Sequence, residues 1–354
     1  MKEQKRIEWI DVIRSLAICC VVMCHSAEGQ VYHLNAEFMN GISLGSKLFA
    51  ISMYSIGRIG VPLFLMITGY LLLDREYSGE KTVAFWKNKC LPLFLVTESW
   101  ILLYNLFFYP YDGITVTVGS VLREMMLVNG FAINHMWYMP VILGLYLMLP
   151  LMANGLKSIE TKIILIPYIL FVLLFMGIPT LNMILAIGGR GLGQTVVSQG
   201  FSGGVYGLYL ITGYLLKKGV LHEVKSSILC FAAGISFVCA VVLQLCLYKN
   251  GVTYAFFYEN ILLLIIGGAI FELISRETKM SVKSGVRVVS YYSFAIYLIH
   301  KPIAIMTKNI LLDVMELRPL IVILTWIITM TGSLLLAYFI SRIPKVGNKL
   351  LYLK

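Results

Sequence analysis

Apolar residues fill ten long segments of the chain, and shorter polar stretches separate them. A helix of about 20 such residues, rising about 1.5 Å per residue, is long enough to cross a hydrocarbon core of about 30 Å. Only helices and closed barrels satisfy every backbone polar group within a bilayer. The pattern therefore predicts an all-α, polytopic membrane protein of about ten transmembrane helices, near residues 9–30, 47–73, 90–110, 136–154, 160–178, 201–216, 226–247, 256–274, 289–308 and 319–341.

The composition agrees with this pattern and also indicates how many domains the chain forms. Of the 354 residues, 59% are hydrophobic and only 13% are charged, which lies outside the range of ordinary soluble domains. No Ser/Pro-rich linker or long run of charge divides the chain. We therefore expect one membrane domain over residues 1–354, surrounded by membrane lipid.

The net charge of +11 could indicate a nucleic-acid partner, but the basic residues are sorted by side of the membrane. With the N-terminus inside, 20 Lys and Arg fall on the inner side and seven, including Arg58 and Lys308, on the outer side or outer helix ends. Arg14 and Lys301 fall within spans. This sorting predicts cytoplasmic N- and C-termini in a multi-pass protein of a bacterial plasma membrane, with no nucleic-acid partner.

Arg14 and His25 lie in the first apolar segment, where ionisable groups are costly enough to indicate a function. Eleven helical steps return to nearly the same face, about 16 Å further along the axis. His25 is the candidate catalytic residue, as a base toward a hydroxyl or as a nucleophile. The alternative is a packed histidine bonded to a backbone carbonyl. Glu28 could hold the His25 ring, or could be a solvated residue at the helix end.

Basic residues on the predicted inner side could bind a phosphate-bearing donor. Arg14 could hold phosphate, or could instead pair with Asp11 one turn earlier. Arg75, Lys87 and Lys89 lie in the following inner loop, where the positive-inside rule also explains them.

Two further groups of polar and aromatic residues could form an acceptor site. His135, Trp137 and Tyr138 suit a sugar, because aromatic faces pack against pyranose rings, although an aromatic belt explains the rings as well. Tyr297, His300 and Lys301 lie in the ninth segment beside Pro302. A lysine at that depth needs a partner or a watery cavity, so this segment is predicted to form a wall of the site.

Two features predict packing rather than chemistry. The seven cysteines have no metal-type spacing, so we expect small packing residues and no metal site. The string Ile-Thr-Gly-Tyr-Leu-Leu occurs at 67–72 and again at 211–216, either as a mark of duplicated halves or because Gly and Thr favour close helix packing.

With these residues in place, the chain resembles the acyltransferase-3 family of integral membrane O-acyltransferases over nearly its whole length. The resemblance rests on several motifs in a fixed order: Asp11, Arg14 and His25; Val61 to Leu71; Lys87, Lys89 and Pro92; His135, Trp137 and Tyr138; Tyr297, His300 and Pro302.

The resemblance implies transfer of an acyl group, usually acetyl, from cytoplasmic acyl-CoA to a hydroxyl of an extracytoplasmic or lipid-linked glycan. It assigns Arg14 and His25 to an essential pair. The family's Arg-x-x-Arg is represented here only by Arg75, Lys87 and Lys89, and lysine lacks the bidentate fork of arginine. The competing hypothesis is a transporter or flippase for a glycan, glycolipid or small metabolite.

Overall fold

Ten helices follow the ten predicted segments. The computed structural model describes residues 7–127, 131–191, 204–277 and 281–353, and in these ranges eight helices are long and apolar enough to cross a membrane. The other two are the shorter α6 and α8; residues 201–203 of the sixth predicted segment lie outside the described ranges. The ten helices are α1 (Glu8–Ala27), α2 (Leu44–Leu72), α3 (Gly79–Tyr111), α4 (Asn134–Lys157), α5 (Thr161–Ala186), α6 (Gly204–Lys217), α7 (Ser226–Lys249), α8 (Ile261–Ser275), α9 (Ser284–Val314) and α10 (Arg318–Ser341). The prediction of an all-α polytopic membrane protein is confirmed.

Helix α1 forms the centre of the bundle. Within its most apolar window 67% of the residues are buried in the protein, against 17% for α5, whose surface is left for lipid. Helices α2, α9 and α10 pack around α1. The segment that carries Arg14 and His25 is therefore enclosed by protein along much of its length.

Helix α2 is interrupted at Ile59, between its parts Leu44–Arg58 and Gly60–Leu72. The break lies where α2 crosses α1 most closely. A Cβ on Gly57 would lie 2.5 Å from the Cβ of Cys24, and one on Gly60 would lie 2.5 Å from the carbonyl oxygen of Ala17. Glycine permits this approach, which brings the residues around the break against the outer half of α1.

Helices α2 and α6 run parallel, as the predicted topology requires of two spans that both run from outside to inside. Asp74, just after α2, accepts hydrogen bonds at the C-terminal end of α6 from Lys217, 3.2 Å away, and Lys218, 2.6 Å away. Although partial burial raises the pKa of Asp74, the hydrogen bonds from the two lysines hold it below its usual value. The pairs fix the two helix ends together.

Candidate active site

His25 lies in the last turn of α1, in contact with two charged side chains. Its Nδ1 is hydrogen-bonded to Glu28 Oε1. Lys301 Nζ, from α9, lies 3.2 Å from the same ring nitrogen and also contacts Glu28 Oε1. The three side chains are only 10–22% exposed. Lys301 therefore has the partner that its depth requires, and Glu28 holds the His25 ring rather than being solvated.

The contact with Glu28 determines which nitrogen of His25 can react. A carboxylate can only accept hydrogen bonds, so we assign the proton of the neutral imidazole to Nδ1. Nε2 then keeps a free lone pair that can take a proton from a hydroxyl. A carboxylate placed as Glu28 is could also stabilise the imidazolium that such a step would form, as the carboxylate of a catalytic triad does.

Lys308, about two helical turns beyond Lys301 on α9, caps α1. Its Nζ donates to the carbonyl oxygens of His25, 3.2 Å away, and of Glu28, 2.9 Å away. A cation at the C-terminal end of a helix is favoured by the helix dipole. The ammonium group thereby fixes the backbone that carries the His25 imidazole.

Two more imidazoles complete a cluster contributed by three helices. The ring centroids of His25 and His300 lie 5.2 Å apart, and those of His135 and His300 lie 5.0 Å apart. His300 Nδ1 donates to the carbonyl oxygen of Tyr297 at 2.7 Å, and the Tyr297 hydroxyl donates to that of His135 at 2.7 Å. His300 Nε2 and His135 Nδ1 are buried without a partner in the protein. They are left available to a water molecule or a substrate.

One group of side chains has the donor atoms of a metal site. Cys24, His25 and Glu28 offer ligand atoms within 4.8 Å of one another. The ammonium of Lys301 already contacts both His25 Nδ1 and Glu28 Oε1. The protein's own cation therefore occupies the place that a metal ion would take between these two ligands. That the protein uses no metal stays a prediction.

An inner cavity of about 580 Å³ lies beside the N-terminal half of α1. Arg14 and Arg75 line it together with Asp11, whose carboxylate accepts a hydrogen bond of 2.6 Å from Ser290 on α9. Farther in, its walls are apolar and include Val21 and Phe64. The cavity thus combines two guanidinium groups with an apolar passage toward His25.

An outer cavity of about 570 Å³ lies beyond the other end of α1. Polar side chains dominate its lining: Glu28, Gln30, His33, Asn35, Tyr54, Asp112, Asn134, Lys301 and Lys308. Its floor includes the carboxylate that holds His25. A hydroxylated molecule could be hydrogen-bonded on several sides here.

A small chamber of about 30 Å³, room for a water molecule or two, lies between these spaces. His25, His135 and Arg58 line it. It shares wall residues with the inner cavity, among them Tyr138 and Tyr297. The imidazole of His25 therefore lies at the narrow end of the inner cavity, and Glu28 separates it from the outer cavity.

The structure brings together most of the residues predicted from the sequence. His25, His135, Trp137, Tyr138 and Tyr297 line the small chamber, Arg14 and Arg75 line the inner cavity, and His300 packs beside His25. The residues of 135–138 are turned into the protein: Trp137 stacks near Tyr206 and Tyr258. Lys87 and Lys89 are not among the residues that line the inner cavity.

Sequence reasoning did not recognise two residues of the candidate site. Arg58 and Lys308 were counted as outer charges, but Lys308 is 3% exposed and Arg58 lies inside the helix bundle against the chamber. Each looked like an ordinary charge at a helix end, which the positive-inside rule tolerates. One sequence feature could have identified Arg58: it lies only three residues before Val61, where the second-span motif begins.

The comparisons with known proteins identify the family of the chain. A family model described as an acyltransferase domain matches residues 7–342. Over 140 residues the chain is 26% identical to an amino-acid racemase of Enterococcus faecalis; this match covers 38% of the chain and 18% of the racemase, so the chain spans less than a fifth of that relative's length. No solved structure matches significantly. With its helical membrane fold and nearly its whole length matched, the chain belongs to the acyltransferase-3 family of membrane acyltransferases.

Proposed function

We propose that this membrane acyltransferase transfers an acetyl group from cytoplasmic acetyl-CoA to a hydroxyl of an extracytoplasmic or lipid-linked glycan. One observation carries the proposal: the His25–Glu28 pair lies between a cavity that contains Arg14 and Arg75 and a polar cavity at the opposite end of α1. A donor and an acceptor can therefore approach the same imidazole from opposite sides.

The inner cavity suits the donor. CoA carries phosphates at one end and the acyl thioester at the end of a long, uncharged pantetheine arm. Guanidinium groups bind phosphate with paired, charge-assisted hydrogen bonds, so Arg14 and Arg75 would hold the anionic end. The apolar walls beyond them would accept the arm. Arg14 and His25 are about 16 Å apart along α1, a distance such an arm can span.

The outer cavity suits a polyhydroxylated acceptor. Its amide, carboxylate, hydroxyl and ammonium groups can both donate and accept hydrogen bonds, as sugar hydroxyls require. His25 Nε2 would take the proton of the attacking hydroxyl as its oxygen bonds to the thioester carbon. Breaking the carbon–sulfur bond then releases CoA, whose sulfur receives that proton from His25.

The test is transfer of labelled acetyl. Proteoliposomes containing the full chain receive radiolabelled acetyl-CoA on the donor side and an envelope fraction of glycans and glycolipids as acceptor. The wild type and His222→Ala, which changes an exposed histidine of the loop between α6 and α7, outside all the cavities described above, should label the acceptor and release CoA. His25→Ala should do neither. Undiminished labelling by His25→Ala would refute the proposal.

The same assay separates the enzyme from the transporter hypothesis. An acyltransferase releases free CoA in proportion to the acetyl that reaches the acceptor. A flippase or transporter would move the glycan or metabolite across the membrane without acyl-CoA. Acceptor movement that needs neither acetyl-CoA nor His25 would favour transport.

A further inference from the structure

We infer that Arg58 is a catalytic residue that stabilises the negative charge on the carbonyl oxygen of the acyl group during transfer. The inference rests on the proposed function, because it adds a second group to the reaction assigned to His25. Attack of the acceptor oxygen on the thioester carbon pushes the carbonyl π electrons onto oxygen. The resulting oxyanion needs a hydrogen-bond donor in place before the reaction begins.

Arg58 and His25 line the same small chamber. Their positions follow from one backbone contact, because Gly57 packs directly on Cys24 and the next residue on each helix is Arg58 or His25. A carbonyl group held in this chamber would be near both side chains. The structure thus places a base and a permanent cation around one space.

The guanidinium of Arg58 is fixed in orientation. Its Nη1 lies 3.4 Å from the Tyr258 hydroxyl, and its Nη2 donates to the Tyr54 hydroxyl. The Tyr54 hydroxyl in turn donates to Glu28 Oε2 at 3.2 Å. The planar group also stacks on aromatic rings, with its carbon 4.6 Å from the centroids of Tyr54 and Phe257. Such a group needs little reorganisation when charge develops beside it.

One donor of this guanidinium remains unused. Arg58 Nε is buried and has no hydrogen-bond partner in the protein. Within the described ranges no carboxylate forms an ion pair with Arg58. Arg58 is half-buried, and a cation enclosed among helices without an anionic partner is costly in a membrane protein, which indicates that an anion occupies the site at some stage. The oxyanion of the acyl-transfer intermediate is such an anion.

The test compares two donors, acetyl-CoA and chloroacetyl-CoA. Chlorine withdraws electrons and itself stabilises the oxyanion, so the chloroacetyl donor depends less on Arg58. With Arg58→Met we expect kcat for acetyl transfer to fall about 10²- to 10³-fold, and the loss with chloroacetyl-CoA to be about tenfold smaller. The KM for either donor should change by less than about threefold, because the CoA site is untouched.

Arg58→Lys keeps the positive charge but lacks the planar guanidinium, so its kcat should fall less than that of Arg58→Met. If Arg58→Met does not fold, Arg58→Lys is compared with the wild type instead. Arg123→Met, an exposed arginine of the short helix Val118–Met125, is the control and should match the wild type. An equal loss on both donors, or a loss confined to the KM for acceptor, would overturn the inference. If the Arg58 variants keep the wild-type kcat while His25→Ala is inactive, the inference about Arg58 is overturned and the proposed function stands. If His25→Ala is active, the proposed function itself is overturned.

Discussion

Gly69 and Gly213 occupy the same position in the two copies of Ile-Thr-Gly-Tyr-Leu-Leu, and each packs against the backbone of the other copy. A Cβ on Gly69 would overlap the carbonyl oxygen of Leu210, and a Cβ on Gly213 would overlap that of Met66, the residue equivalent to Leu210. The contact is reciprocal, as in a two-fold interface. The repeated motif therefore marks the crossing of α2 and α6.

Substitution of either glycine should separate these two helices. The overlapping atoms belong to the backbone, so no side chain can turn away to make room. We expect Gly69→Ala and Gly213→Ala each to destabilise the protein by about 1–3 kcal/mol, measured as a lower thermal midpoint in detergent. The double variant should lose less stability than the sum of the two single losses, because both substitutions disrupt the same helix contact.

Gly144→Ala on α4 is the matched control. A Cβ there meets nothing within 4 Å, and alanine has the higher helix propensity, so stability should stay the same or rise. Wild-type stability in Gly69→Ala would show that the crossing is looser than the structure has it.

Gly57→Ala should act on the site rather than on the α2–α6 crossing. The new methyl group would lie 2.5–2.6 Å from backbone and Cβ atoms of Cys24 and would push α2 away from α1 beside His25. We expect transfer activity to fall more than tenfold, with a stability loss of about 1–3 kcal/mol. Gly45→Ala, at the open end of the same helix, should retain the activity and stability of the wild type.

The sequence was sufficient for the fold class and for locating the candidate site on the first helix. Hydrophobic length predicted ten apolar segments, and a helix follows each of them, although α8 and the described part of α6 are shorter than the eight helices that are long enough to cross a membrane. The cost of burying charge singled out Arg14, His25 and Lys301, and the structure gives Lys301 the partner Glu28. Each of these conclusions concerns one segment and its membrane environment, so hydrophobic length and composition were enough to reach it.

The rest of the site depends on which helices cross, and periodicity along one helix does not contain that information. Arg58 has an ordinary charge pattern for an outer helix end, and only the contact between Gly57 and Cys24 brings it beside His25. Likewise the capping of α1 by Lys308 joins residues about 280 positions apart in the chain. Such contacts become visible once the packing of α1, α2 and α9 is known.

Removing a guanidinium from the inner cavity should weaken donor binding without slowing the chemistry. We expect Arg14→Gln and Arg75→Gln each to raise the KM for acetyl-CoA about 10- to 100-fold, the value of one lost charge-assisted hydrogen bond. S-acetylpantetheine lacks the phosphates of the nucleotide, so its KM should not change. Steady-state rates with the two donors make the comparison.

Lys81→Gln is the control for this prediction, because Lys81 is an exposed cation in the first turn of α3 and lies outside the cavity lining. It should leave both KM values unchanged. Lys87→Gln and Lys89→Gln should have smaller effects than Arg75→Gln. An equal rise of KM for acetyl-CoA and S-acetylpantetheine in Arg14→Gln would show that Arg14 shapes the cavity rather than binding phosphate.

Glu28→Gln tests whether Glu28 positions His25. The amide cannot stabilise the imidazolium, and it can turn its NH₂ group toward Nδ1 and favour the wrong tautomer, so kcat should fall about 10- to 100-fold. The KM for acetyl-CoA should stay the same, since Glu28 lines the outer cavity. Glu28→Asp keeps the charge and should restore part of kcat, a response that loss of packing alone would not give. Glu37→Gln, an exposed carboxylate on the same side of the protein, should match the wild type. If Glu28→Gln raised the KM for acceptor and left kcat intact, Glu28 would bind acceptor, and His25 would need another partner to hold its ring.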